Sequence, residues 1–190
     1  MPVIGIVEYD PRWPALFEEE KARLLSAAGP LLAAIEHIGS TAVPRLAANP
    51  IIDIMGGVRD LGEVTRYVAV LEGLGYEYVP QYEAFIPERR YFRKPTRGHS
   101  PRTHHLHVVE LTSDFWRRHL LFRDYLRTHP QALREYADLK RHLASEYGDD
   151  GRGYTDAKGA FHRIDSGSSG RGRAGSGFGT AGTSIWRFIV

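Results

Sequence analysis

Apolar and polar positions succeed one another in a way that predicts a chain of mixed helices and strands. The run VIGIVEY (residues 3–9) reads as a short strand or extended arm. Pro11 and Pro14 then prepare a helix start, because proline is tolerated in a first turn. Over residues 15–28, Phe17, Leu24 and Ala28 recur at helical spacing, with Glu18 to Glu20 near the N-terminal end. Gly29-Pro30 stops that helix. AAIEHIG reads as a second short strand ended by Gly39-Ser40, and PIIDIMGGV is a β-branched run suited to a central strand. Residues 63–74 predict a helix closed by Gly75. YEYVP, RRYFRK and THHLHVVEL read as strands. Two helices follow, over residues 114–128 and 130–147. In the second, Leu133, Tyr136, Leu143 and Tyr147 form one stripe, joined by Ala137 and the aliphatic stem of Lys140.

Strands early and helices gathered at the end favour an α+β fold, a mixed sheet flanked by helices with a C-terminal helical pair, over a doubly wound sheet. The pattern ends near Ile164. DSGSSGRGRAGSGFGTAGTS is rich in Gly and Ser and reads as a flexible tail, so residues 1–163 are expected to form the domain and 164–190 the tail. The terminal IWRFIV has strong β-propensity. It is either a disordered end or a segment that docks on an apolar surface.

Composition narrows the picture. The chain has 190 residues, 42% hydrophobic and 25% charged, with a formal net charge of +2. That length suits one domain with a sizeable core, and a near-neutral balance argues against nucleic acid as the partner. Cysteine is absent, which excludes disulfides and thiolate metal sites. The start lacks a basic region followed by a long apolar run, and no stretch approaches the roughly 18 apolar residues of a membrane span. The expectation is a soluble cytoplasmic protein without a membrane partner.

The candidate chemistry sits in EHIGSTAVPRLAANPIIDIMGGV. Gly39 permits a tight turn and close backbone approach. Ser40 and Thr41 supply hydroxyls, and amides at a following helix start attract phosphate. Asp53, further on in an apolar run, is the carboxylate that Mg²⁺ takes together with waters and substrate phosphates. The same pattern also fits a turn followed by an unremarkable strand aspartate.

That stretch, together with YDPRWPALFEEEKARL, RRYFRK, THHLHVVE, HLLFRDYLRTHPQALREYADLK and RGYTDAKGAF, resembles the GrpB family from about residue 7 to residue 161, with motif order and spacing in agreement. The resemblance implies a nucleotidyltransferase-like fold and, because some members are fused to dephospho-coenzyme A kinase, a link to coenzyme A metabolism. The superfamily pattern places Gly-Ser before a strand with two carboxylates on one face. Gly39, Ser40 and Asp53 match it, whereas Met55 stands where the second carboxylate belongs. The family pattern also has Gly where Arg45 stands and Lys where Asn49 stands. Gly at that position points to a special backbone angle.

Strand alternation sorts the remaining candidates. His105, His107 and Val109 share one face of their strand, and His104, Leu106, Val108 and Glu110 the other. Asp53 with His105 and His107 is therefore the preferred constellation, with Glu110 a second option as a metal ligand. The histidines are open to three readings: ligands of Zn²⁺ or Mn²⁺, phosphate donors or proton shuttles, or core histidines bonded to neighbours. Arg90 and Lys94, on one face with Phe92, are candidates for a phosphate clamp or for the charged guard of an edge strand. The arginines of the 114–128 helix read as a solvated basic face. Tyr154 and Lys158 share a face if helical, and the resemblance implies that Lys158 returns to the site.

The expected function is a Mg²⁺-dependent nucleotidyl- or phosphoryl-transferase-like protein that binds a nucleotide or another phosphorylated small molecule. Asp53, His105 and His107 carry the chemistry, while Gly39, Ser40, Thr41, Arg90, Lys94 and Lys158 hold phosphate. Asp53 and Glu110 take the ion, with another divalent metal on His105 and His107 as the lesser option. The alternative is a binding module for nucleotide or coenzyme A-related ligands whose acidic site is degenerate.

Overall fold

A computed structural model describes residues 5–95 and 101–148, with residues 150 and 153. The elements are α1 (Trp13–Ala28), β1 (Ala34–Ile38), β2 (Ile52–Val58), α2 (Val68–Gly73), β3 (Glu77–Tyr78), β4 (Arg89–Lys94), β5 (His104–Glu110), α3 (Asp114–Thr128) and α4 (Pro130–Tyr147). Gly5–Asp138 forms one compact unit, which holds the sheet. The described residues from Leu139 onward, the C-terminal half of α4 and just beyond, belong to a second unit. The expected boundary at residues 163 and 164 lies outside the described residues.

The five strands lie in the order β1-β2-β5-β4-β3. β2 and β5 run parallel, and every other neighbouring pair is antiparallel. With four α-helices among the described residues, the fold is α+β. The parallel pair sits at the centre, where strands buried on both faces lose their polar alternation. This accounts for the β-branched and glycine run of β2, in which only Ile52 and Asp53 border a less apolar end.

Each face of the sheet has its own core. On one, Trp13, Phe17, Leu24 and Ala28 of α1 pack on Ile52, Ile54, Leu106, Val108 and Phe92. These α1 positions recur every three to four residues, the spacing of one helical stripe, and Glu20, 3% exposed, lies in the same stripe. On the other face, Phe115 of α3 packs with Ile38, Met55 and Val109. Ser113 caps α3 by accepting from the Trp116 amide at 3.2 Å, satisfying one of the free donors of the first turn. Phe122 of α3 meets Tyr136 of α4 edge-on at 5.1 Å.

The first run, read as a short strand or extended arm, holds among its described residues a single bridge, Val7 to Ala48. One expected element differs. The helix expected over 63–74 is a 3₁₀ segment, Leu61–Tyr67, that passes into the short α2. Asp60 takes the Gly62 amide at 2.8 Å, and this cap starts the tighter winding before the predicted helix begins. Arg45 has φ 69°, so the special angle inferred at that position is real and a non-glycine residue occupies it.

Candidate functional site

The parallel register sets Asp53 beside His105 and Met55 beside His107. Alternation turns all four toward α3, and β4 adds Tyr91 opposite His107 and Arg93 opposite His105. Asp53 Oδ1 lies 3.1 Å from His105 Nδ1 and 3.8 Å from His107 Nε2. The Tyr91 ring stands 5.4 Å from the His105 ring and 5.2 Å from the His107 ring. Phe115 stacks on His107 at 6.0 Å, and His119 on Phe115 at 3.8 Å.

The Gly39 turn closes the site from the β1 side. Ile38 pairs with Asp53, and Gly39 follows at φ 70°. A Cβ there would stand 3.0 Å from the Asp53 Cβ and Cγ, and closer still to Oδ2. Glycine therefore lets the turn run directly against the carboxylate, the close approach expected from the sequence.

Burial acts to raise the Asp53 carboxyl, but the His105 and His107 imidazoles outweigh it and hold the group well below the usual carboxylate range. It stays ionised throughout the neutral region. Burial pushes the His107 imidazole down to about 4, and does the same to His119 and to His37. Neutral His107 keeps one ring nitrogen as an acceptor and the other as a donor.

Several expected site residues go elsewhere. Thr41 is buried, with its hydroxyl 3.0 Å from His37 Nε2 and donating to the Ile51 carbonyl at 3.1 Å; its hydroxyl is committed to the core. The Ser40 hydroxyl bonds the buried Tyr136 phenol. Glu110 lies on the face opposite Asp53, where it accepts from the Leu61 amide at 3.2 Å; it is no partner of Asp53 for an ion.

Arg90 and Lys94 share the face of Phe92, which is the α1 core, and so point away from Asp53. Lys94 Nζ contacts both Glu20 oxygens, at 2.9 and 3.1 Å. Arg90 pairs with Glu83 at 3.4 Å and donates to the Pro87 carbonyl. Lys158 and Tyr154 lie outside the described residues.

Other residues take these places. Arg89 is on the Asp53 face, with Nη1 3.3 Å from His107 Nδ1 and its guanidinium 4.9 Å from the Tyr91 ring centroid. The signal that finds it is Phe92: once that residue is assigned to the main core, its odd-numbered neighbours face the site. Arg123 is also shielded, and Arg127, though exposed, is tied to the backbone. Arg123 donates to Glu36 at 2.7 Å and to the His37 carbonyl at 3.1 Å, and Arg127 to the Ala42 carbonyl at 2.8 Å. Together they fasten α3 to the HIGSTA segment. Arg117 remains on the exposed side, paired with Asp114.

Asp53, His105 and His107 form the only group of three such side chains, among the described residues, whose ligand atoms all lie within 4.8 Å of one another. Donors that share an ion at about 2.0–2.2 Å stand a little over 3 Å apart, so the observed spacing fits a single ion. Two imidazoles and one carboxylate suit Zn²⁺ or Mn²⁺. Mg²⁺ prefers an all-oxygen shell, and the second carboxylate is missing because Met55 is fully buried in its place. No helix among the described residues is long and apolar enough to cross a membrane.

Known proteins agree with this arrangement of elements. The crystal structure of conserved protein GrpB from Enterococcus faecalis superposes with a TM-score of 0.73 at 39% identity, covering 83% of this chain and 92% of that one. UPF0157 protein YqkA of Bacillus subtilis (strain 168) is 43% identical over 155 residues, 82% of this chain but 44% of its own length. This chain thus spans under half of that relative. Glutamate-rich protein GrpB of Alkalihalophilus pseudofirmus is 37% identical over 158 residues, covering 82% of this chain and 90% of its own. The sequence profile described as GrpB protein matches residues 3–165. With most of the chain inside that match, this protein belongs to the GrpB family.

Proposed function

We propose that this chain is a nucleotidyl- or phosphoryl-transferase-like protein that binds a nucleotide or another phosphorylated small molecule over the Asp53 face of its sheet. The observation that carries the reading is the convergence of Asp53 Oδ1 with His105 Nδ1 at 3.1 Å and His107 Nε2 at 3.8 Å, against a glycine turn. Asp53, His105 and His107 would hold one divalent ion, with Mn²⁺ or Zn²⁺ favoured over Mg²⁺ by the donor set. Such an ion supplies Lewis-acid polarisation of a phosphoryl oxygen. The chain's own groups bind and orient: Asp53 contributes a permanent negative charge, Tyr91 walls the two imidazoles, and the Gly39 turn packs against the carboxylate and fixes its position.

A second reading is a binding module that does not turn its ligand over. It is favoured by Met55, fully buried where a second carboxylate would stand, and by Glu110 lying on the far face. Two-metal chemistry needs more acidic ligands than this face offers.

Calorimetric titration of ATP and GTP, with and without Mn²⁺, tests the first reading in wild type and Asp53→Asn. The expected result is ion-dependent binding that Asp53→Asn abolishes, with release of phosphate or pyrophosphate when an acceptor is supplied. Ion-dependent binding with no product across a nucleotide panel selects the binding module. Equal binding by wild type and Asp53→Asn contradicts both.

A further inference from the structure

Arg89 is unusual among the cations of this sheet. It is partly buried, and no carboxylate among the described residues lies within ion-pair distance of it. Its Nε is buried without a hydrogen-bond partner. Its guanidinium lies 4.9 Å from the Tyr91 ring centroid and 5.8 Å from that of Phe115. These rings hold the cation by cation–π attraction but do not neutralise it. The neighbouring cations are compensated: Arg93 by Glu77 at 2.8 Å and Lys94 by Glu20 at 2.9 Å. An uncompensated, partly desolvated charge is costly unless a ligand supplies the counter-charge.

The single side-chain hydrogen bond of Arg89 among the described residues carries a second message. A guanidinium has only donors, so its contact to His107 Nδ1 at 3.3 Å requires a lone pair on that nitrogen. In the neutral ring the proton is then on Nε2, the atom that faces Asp53. An ion bound at Nε2 needs the lone pair there and moves the proton to Nδ1. Two donors, Nη1–H and Nδ1–H, would then face each other, and Arg89 would lose its bond.

We infer that Arg89 is the recognition residue for an oxyanion of the ligand, phosphate or carboxylate, and that His107 couples it to the ion site. The inference rests on the reading of Asp53, His105 and His107 as ion ligands. Without an ion, Arg89 is tied to His107 Nδ1. With an ion on Nε2, that tie is broken and the guanidinium turns its free donors to the anion, which it grips in a planar fork. Ion and anion therefore bind with positive linkage, and by reciprocity each tightens the other.

The test uses the full chain labelled with ¹⁵N. Long-range ¹H–¹⁵N spectra report which nitrogen of His107 carries the proton, first without metal and then with one equivalent of Zn²⁺. Nε2–H is expected first and Nδ1–H after Zn²⁺ is added. Inorganic phosphate and acetate are then titrated separately, which distinguishes a phosphoryl source from a carboxylate source. Zn²⁺ should tighten the preferred anion about tenfold. Arg89→Met should weaken that anion by about tenfold to a hundredfold, the size of a hydrogen bond to a charged group, while binding Zn²⁺ at least as tightly as wild type. A merely structural Arg89 would leave the linkage between Zn²⁺ and the anion unmoved in Arg89→Met.

Nδ1–H in the metal-free protein, or phosphate and acetate binding unchanged in Arg89→Met, overturns the inference. Anion binding that depends on Arg89 but ignores Zn²⁺ overturns the coupling. Failure of Zn²⁺ to bind at all removes the ion reading itself, which is visible separately from the anion titrations.

Discussion

Arg89 and Lys94 begin and end the same strand and leave it in opposite directions. Lys94 meets Glu20, whose carboxylate is buried in the α1 stripe, so the two charges cancel inside the fold. Arg89 meets an imidazole and two aromatic rings, and no carboxylate among the described residues. The difference separates two uses of a basic residue. A cation with a buried counter-charge holds the structure together; one held by rings and a neutral histidine is available to a ligand. Arg90 and Lys94, expected to hold phosphate, lie on the face away from Asp53, and the proposed anion contact falls to Arg89 instead.

The comparison breaks most visibly at Glu20. Glu20→Ala leaves Lys94 with its charge buried and unpaired, which costs about 3 kcal/mol. Urea denaturation should show that loss, while ligand binding on the opposite face is unchanged. A small loss would mean that the pair is not structural.

Acid sharpens the comparison next, because both faces hold a histidine kept neutral by burial. His37 on the α1 face and His107 and His119 on the other are all pushed down to about 4. The unfolded chain binds protons at these residues near 6.5, where the folded chain does not. Stability is therefore complete above about pH 6.5 and falls as pH drops toward 4, by about 2 kcal/mol or more in total. Asp53 has its carboxyl held far down and contributes no loss in this window. Urea midpoints at pH 7 and pH 5 measure the fall, which His119→Phe should make shallower.

Two residues with similar positive φ give the next contrast. Gly39 at 70° uses the freedom of glycine to approach Asp53, and Arg45 at 69° sits there with a side chain. Gly39→Ala should cost about 1–3 kcal/mol from a backbone (φ 70°, ψ −170°) that is essentially restricted to glycine, and also displace the Asp53 carboxylate. Arg45→Gly should stabilise by about 1 kcal/mol without touching ligand binding. Thermal midpoints of both variants decide the matter. The smallest stability effect is expected at Arg89→Met, within about 0.5 kcal/mol of wild type; a large loss would make Arg89 structural, like Lys94.

Much of this was legible in the sequence. The limits of β4, α3 and α4 coincide with the predicted ones, because each has a clear period and a clear stop. Alternation groups His105 with His107 and sets Glu110 on the other face, while Asp53 comes from the Gly39-Ser40…Asp53 pattern and the family resemblance. Alternation fixes which residues of a strand go together, but not which group faces which layer. That depends on pairing, here Tyr91 with His107, so Arg90 and Lys94 were placed on the wrong side. The commitment of Arg123 to Glu36 spans the tertiary fold and leaves no local mark. Glu20 looked like one of three acidic residues near a helix start, but it lies on the buried stripe set by Phe17 and Leu24.

The central claim is that the Asp53 face is the working face. Calorimetric titration of Mn²⁺ into wild type and Asp53→Asn, compared at equal thermal stability, tests it most directly. The account predicts one ion per chain in wild type and none in Asp53→Asn. No binding by wild type, or the same binding by both proteins, would contradict it.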